Sequence, residues 1–407
     1  LWFTHRGIEK LFEGRRLMDG GELAGVVTGD SAFAHSLAYC LAVESLADFA
    51  APPVLQHWRA LLLELERIVN HMADCAAIVH DMAFDALSSP LTVVQEQAVR
   101  LAQELTGNRL LRGVNRPGGM VLPAEAQAAL PGLAGRIEEL VDGFLDLALP
   151  VMQEPACRDR LIATGVLTRR EALSLGATGL PTRASGVLAR DFRLRHPWGI
   201  YCDVNIRKRI KGIAQEPLDL TRLNEPQPDA IDWTRRVPVR KQPKLRKERE
   251  THEEDPGLKE PATIDLTGDV FARTWLRLAE LEACRDLMEP IVAGLVDAPP
   301  LAAPAPGSAA DIEAALRDAE NFDFGIGCVE AWRGEVCYWV QKGPRGSIYR
   351  CKVRDPSVFN WPALAQAVVC KNRQDGEPGA GLRHENILAD FPLINKSFNL
   401  SYAGSDL

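Results

Sequence analysis

The chain has 407 residues and a formal net charge of −8, with 46% hydrophobic and 25% charged residues. That length accommodates one large domain or two ordinary ones, and the composition is that of a globular protein. The negative balance argues against a general nucleic-acid binder. No uncharged apolar run of about 18 residues or more occurs, so no transmembrane segment is expected and any membrane link must run through a partner.

Nine cysteines are scattered at positions 40, 75, 157, 202, 284, 328, 337, 351 and 370. No two are separated by two residues, which excludes a metal site built on a C-x-x-C pair. Single cysteines of this kind suit a reducing compartment. The chain begins at Leu1 with a dense polar motif and no signal peptide. The expectation is that an upstream segment precedes it.

The stretch from Ala34 to about Asp48 is rich in Ala and Leu and reads as a helix that Pro52 and Pro53 end. From Val54 to Met82 apolar residues recur at helical spacing, through Leu61, Leu65, Ile68 and Met72 to Ile78. That predicts a helix of about 28 residues, roughly 42 Å long, able to act as the spine of a bundle. Further helices are expected at Leu91–Leu105, Ala124–Val151, Arg169–Leu175 and Val270–Leu295, with a loop at Asn115–Gly119. Residues 207–267 form a polar, Pro-broken insertion, basic from Arg235 to Arg249 and acidic from Glu250 to Asp255. A solvated insertion with offsetting charges is favoured there over a nucleic-acid patch. Asp297 to Ser308 reads as a Pro/Ala linker, and Ile326 to Val353 as an antiparallel meander of β-branched and aromatic residues. Dinucleotide, P-loop and serine-hydrolase motifs are absent.

Nine polar clusters follow one another along the chain. They are His5–Lys10; Phe33–Ser36 with Ala42–Glu44; Leu65–His71; Asn115–Gly119; Arg183–Gly186 with Arg190, Asp191, His196 and Pro197; Gly268–Arg273; Glu330–Glu335; Tyr349–Ser357; and Asn360–Pro362. In this order they resemble the large subunit of group 4, energy-converting nickel–iron hydrogenases of the formate-hydrogenlyase type. They resemble equally the homologous 49-kDa (D) subunit of complex I. The resemblance implies a mainly α fold: a hydrogenase large-subunit-like helical bundle with a small antiparallel β-sheet late in the chain. Residues 1–206 and 268–407 would be two parts of that one domain.

In the hydrogenases, four thiolates in two C-x-x-C pairs hold the metals, because soft deprotonated sulfur suits nickel and low-spin iron. The matching positions here are Thr28, Ser31, Ser401 and Gly404. A hydroxyl is a hard, neutral donor and glycine offers none, so no metal centre and no hydrogen chemistry are expected. The complex I subunit also lacks those cysteines and holds a quinone headgroup in the vacated cleft. Its quinone tyrosine falls at Gly29 here, and the arginine and histidine flanking the partner's cluster fall at Val26 and Leu111.

The resemblance also marks His71 and His80, and Asp81, an aspartate coupled to the quinone site in complex I. His71 and Asp81 are about 15 Å apart along one helix and cannot touch. They are either stations of a proton path or a satisfied bundle histidine and a capping aspartate. His35 would sit at the cleft floor and completes the catalytic candidates. Asp30, Asn399, Arg333 and Arg354 are the ligand candidates of a small polar cleft, which either takes a polar molecule such as a quinone or is a filled remnant. Arg6, Glu9 and Lys10 match the contact region with an iron–sulfur small subunit, the complex I B-like partner that carries the cluster. The other implied partners are a C-subunit-like protein and antiporter-like membrane subunits. No cofactor is expected on this chain itself, and the expected location is peripheral, on the cytoplasmic face of a prokaryotic plasma membrane.

Overall fold

The computed structural model describes residues 1–187, 191–203, 206, 210, 267–296, 298–299, 308–369 and 386–407. After a short helix α1 (Ile8–Phe12), two helices build the centre: α2 (Ala32–Leu46) and α3 (Pro53–Asp81). Proline at the first helical position starts α3, where its missing N–H costs nothing and its fixed φ suits the helix. α3 runs for 29 residues and is the expected spine. Helices α4 (Asp85–Thr106), α5 (Leu133–Gln153) and α7 (Val270–Val296) pack around it, with the short α6 (Gly179–Ala184) against α7.

α2 is apolar on every side and almost wholly buried, because α3 covers one flank and a sheet the other. That sheet is an antiparallel meander of β1 (Phe324–Glu330), β2 (Glu335–Lys342) and β3 (Ile348–Arg354), in that order. Its inner face meets α2 through Gly325 and Gly327. A Cβ on Gly325 would lie 1.9 Å from the Ala42 carbonyl oxygen, and one on Gly327 2.1 Å from that of Ala38. Two glycines on alternate residues let helix and strand backbones touch. The chain then continues through α8 (Ser357–Val368), α9 (Phe391–Phe398) and α10 (Tyr402–Asp406).

The mainly α architecture with a late antiparallel sheet is as expected, and two elements differ. The helix expected at Ala124–Val151 is broken: a 3₁₀ turn at Ala124–Ala126 is followed by Pro131 and by Gly132 at φ +77°, and α5 starts only at Leu133. The positive φ ends any continuous helix there. The loop at Asn115–Gly119 closes into a two-residue antiparallel ladder pairing Asn115 with Met120. The insertion at 207–267 and most of the Pro/Ala linker lie outside the described residues. The linker's last residue, Ser308, opens a helix over Ser308–Asp318.

Candidate functional site

The loop before α2 carries Thr28 and Ser31, and the turn from α9 to α10 carries Ser401 and Gly404. Arg6 fastens these two segments together. Its guanidinium donates to the carbonyls of Val26 (2.9 Å) and Val27 (2.6 Å) on one side and Ala403 (3.3 Å) on the other. The two segments meet at this point. Gly404 is so close to Thr28 that a Cβ there would lie 2.8 Å from Thr28 Cγ2 and 2.6 Å from the Asp355 carboxylate.

Arg333 occupies the space between the segments. It follows β1 in the tight Ala331–Gly334 turn and is buried to 2% exposure. Its Nη2 and Nη1 donate to the two Asp30 carboxylate oxygens at 2.7 and 3.2 Å. Nη1 also donates to Ser31 Oγ (3.3 Å), and Nε to the Asn399 carbonyl. The guanidinium lies over the Trp332 ring, 4.2 Å from its centroid. Trp332 Nε1 and Asn70 Nδ2 each donate to the Asp30 carbonyl at 2.9 Å. Asp30 therefore stands at the mouth, its side chain 40% exposed, with Arg333 sealed beneath it.

The floor is a second buried group. His35 Nε2 lies 3.1 Å from Asp355 Oδ2, and Nδ1 lies 2.9 Å from the Tyr338 hydroxyl. A carboxylate only accepts, so Nε2–H donates to Asp355 and the tyrosine donates to Nδ1. Burial works to raise the Asp355 pKa, yet the His35 hydrogen bond and the nearby Arg333 hold it below the ordinary range. Asn399 Nδ2 donates to Asp74 (2.6 Å), which is paired with Arg277. Of the hydroxyls, Ser401 Oγ caps α10 by accepting from Gly404 N–H (2.9 Å), whereas Thr28 Oγ1 is buried without a partner among the described residues.

Thiolate donors are therefore absent from all four positions. One hydroxyl is committed to the backbone, one position has no side chain, and a guanidinium stands between the loops. This donor set does not fit a nickel–iron centre, which needs anionic sulfur.

His71 and Asp81 separate sharply in environment. Asp81, the last residue of α3, is exposed, and its neighbour His80 is an exposed partner of Asp85 (2.6 Å). His71 is fully buried: Nε2 donates to Glu280 (2.8 Å), Nδ1 has no partner among the described residues, and the ring meets Trp332 edge-on. Burial lowers its pKa, so the ring is neutral. Arg354 is also outside the cleft group, pairing with Glu335 (2.6 Å) and covering the Phe359 ring. At the expected partner-contact region Glu9 accepts from Val353 N–H (3.1 Å) and pairs with Lys352, while Lys10 pairs with Glu13. These side chains line an open cavity of about 330 Å³ with His5, Arg350 and Leu407.

His71 belongs to an ionic network that sequence reasoning missed. Arg67, Arg183 and Arg193 are buried among Glu64, Asp191, Glu280 and Glu330. Arg183 binds Glu330 (2.6 Å) and Glu280, and Arg193 binds Glu64 (3.0 Å) and Asp191 (2.7 Å). Tyr201 donates to Glu64 at 2.7 Å. Burial would raise Glu64, but Arg193 and Arg67 hold it down to about 2. Burial, helped by Asp191, pushes Glu330 up to about 7 against the pull of Arg183. With four carboxylates and three guanidiniums, the network carries one excess negative charge in a dry interior, and Glu330, whose pKa is raised to about 7, is the carboxyl most ready to take up a proton. The available signal was charge on an apolar surface: Glu64 and Arg67 interrupt the leucine-rich face of α3.

Residues 87–212 match the family described as "Respiratory-chain NADH dehydrogenase, 49 Kd subunit". The whole chain aligns with formate hydrogenlyase subunit 5 of Escherichia coli (strain K12) at 26% identity, covering 57% of that protein. Over 49% of its length it aligns at 33% identity with the NADH-quinone oxidoreductase (D) subunit of Dehalococcoides mccartyi (strain ATCC BAA-2266 / KCTC 15142 / 195), covering 54% of that protein. The membrane-bound hydrogenase subunit alpha of Pyrococcus furiosus is 25% identical over 90% of the chain and 74% of the relative. A solved archaeal respiratory membrane complex, the membrane-bound sulfane sulfur reductase, contains a chain of the same fold. The match has a TM-score of 0.71 and 21% identity, and covers 100% of this chain and 89% of that one. Sequence matches and shared fold agree with the order of the polar clusters: the chain is similar to large subunits of group 4 membrane-bound hydrogenases, and residues 87–212 match the 49-kDa subunit family of complex I.

Proposed function

We propose that this chain is the large subunit of a peripheral, membrane-associated oxidoreductase complex that has given up the nickel–iron centre. The observation that carries the reading is Arg333. Its guanidinium, bound to Asp30, Ser31 and the Asn399 carbonyl, lies between the two loops where the relatives' thiolates would project. The chain then serves as the partner of an iron–sulfur small subunit, which docks at Arg6, Glu9 and Lys10 and carries the electrons. C-subunit-like and antiporter-like membrane proteins hold the complex at the cytoplasmic face, where electron transfer drives proton or ion movement. No helix among the described residues is long and apolar enough to cross a membrane, which agrees with attachment through partners. The filled cleft favours a structural and electrostatic role for this subunit over substrate turnover within it. Co-purification tests the assembly: a tagged chain brings down a small subunit with an iron–sulfur absorption spectrum, and its recovery alone from solubilised membranes overturns the reading.

A second reading keeps a ligand at the mouth, and Thr28 favours it. Its buried, unpartnered Oγ1 beside the half-exposed Asp30 is a polar atom awaiting a hydrogen bond. A quinone headgroup or another small polar molecule would satisfy it. Quinone-analogue inhibition of the complex that weakens in Thr28→Val supports this reading, and inhibition unchanged in that variant rejects it.

A further inference from the structure

The outer face of the meander carries a pair of thiols that the cleft does not use. Cys328 on β1 and Cys337 on β2 are direct cross-strand partners. Ala331 and Gly334 exchange both backbone hydrogen bonds at the turn (2.9 and 3.1 Å), which sets the alternation of the ladder. Three residue pairs further on, Cys328 and Cys337 form a non-hydrogen-bonded pair, the kind whose side chains stand closest. That spacing falls within the range a disulfide spans without backbone movement. Both side chains are half-buried on the solvent-side face, whereas Cys40, Cys75, Cys157, Cys284 and Cys351 are buried. Glu335 and Arg354 flank the pair on the same face and are bound to each other, and Arg354 stands opposite Cys337 on β3.

We propose that Cys328 and Cys337 are a thiol–disulfide modification site that reacts with low-molecular-weight disulfides to form an intramolecular cross-strand disulfide. The Cys328 thiolate attacks one sulfur of the oxidant, forming a mixed disulfide and expelling one thiolate. Cys337 loses its proton and attacks Cys328 Sγ, closing the Cys328–Cys337 bond and expelling the second thiolate. The two cysteines lose two electrons and two protons, and the oxidant leaves as two thiols. The neighbouring Cys337 lowers the pKa of Cys328 and so favours Cys328 as the first nucleophile, with Cys337, its cross-strand partner, as the resolving thiol. The disulfide would lock β1 to β2 next to the Glu335–Arg354 pair, one residue before Asp355 of the cleft floor.

Oxidised glutathione is the probe. The purified protein is treated with it, alkylated, digested without reduction and read by mass spectrometry, with exposed Cys202 as the internal control. The expected result is a Cys328–Cys337 cross-linked peptide in monomeric protein, loss of alkylation at both positions, and a stable glutathione adduct on Cys202. In Cys337→Ser the adduct accumulates on Cys328 instead. Alkylation of Cys328 and Cys337 persisting while Cys202 is fully modified, or a lasting glutathione adduct on Cys328 with Cys337 intact, overturns the proposal.

Discussion

Arg333 donates to Asp30, Ser31 and Asn399 at once, so replacing it uncouples both loops of the cleft. Arg333→Ala leaves the Ser31 hydroxyl and the Asn399 carbonyl without their donor and is expected to lower stability by about 2–4 kcal/mol in chemical denaturation. Asp30→Asn, altering the half-exposed partner, is expected to cost under about 1 kcal/mol. Equal losses would contradict the view that Arg333 is the buried anchor. Glu330 supplies a pH-dependent test. Its folded pKa is raised from 4.5 to about 7, so the native state binds the proton more tightly than the unfolded chain. Its contribution is fully present below the unfolded value and is lost as pH rises through about 7. The stability difference between Glu330→Gln and wild type should therefore move in the variant's favour between about pH 5 and about pH 8. A pH-independent difference would show that Glu330 is ionised throughout. His71, whose pKa is lowered, acts in the opposite sense: its contribution is lost as pH falls below the ordinary 6.5. Its charge is unchanged by the Glu330 substitution, so the difference measurement isolates the carboxyl. At this scale Thr28, Ser31, Ser401 and Gly404 were marked only through the family resemblance, and the structure brings the loops that carry them together. The sequence did not expose Asp355 or Tyr338 as the partners of His35, because they arrive from more than 300 residues away and follow no local period.

The contact of α2 with β1 rests on two positions without side chains. Gly327→Ala would drive a methyl group into the Ala38 carbonyl, and backbone on both sides has no room to yield. The expected loss is about 3 kcal/mol or more, with the sheet displaced from α2. Gly346→Ala is the comparison: at φ +71° it is strained but meets nothing within 4 Å, so the loss should stay near about 1 kcal/mol. Thermal denaturation of the two variants checks this, and an equal loss would deny the close approach. The long helices were readable because apolar periodicity persists over many turns in α3, α4 and α7. The Ala-rich run from Ala124 looks helical and so extends the expected helix beyond α5, whereas Pro131 and a left-handed Gly132 decide the boundary. The Ser308–Asp318 helix was hidden by the Pro/Ala text that precedes it.

At the scale of the molecule, the cleft is held from both ends of the described chain. Arg6 near the start fixes the Thr28 loop to α10, and the Arg6 and Gly7 N–H groups both donate to the Leu407 carbonyl (2.9 and 3.1 Å). The fold shared with the solved respiratory complex thus surrounds a cleft lined by hydroxyls, a glycine and a buried guanidinium. The resemblance was legible because nine clusters keep their order over the whole chain and placed Arg333 at the cleft, whereas its bonds to Asp30, Ser31 and Asn399 depend on contacts between distant segments. Such a cleft should hold no nickel–iron centre, and elemental analysis of the complex purified from its native membrane is the decisive measurement. Iron from the partner's clusters, with no stoichiometric nickel assignable to this subunit, is the expected result. One nickel per copy of this chain, retained after the partner is removed, would contradict it.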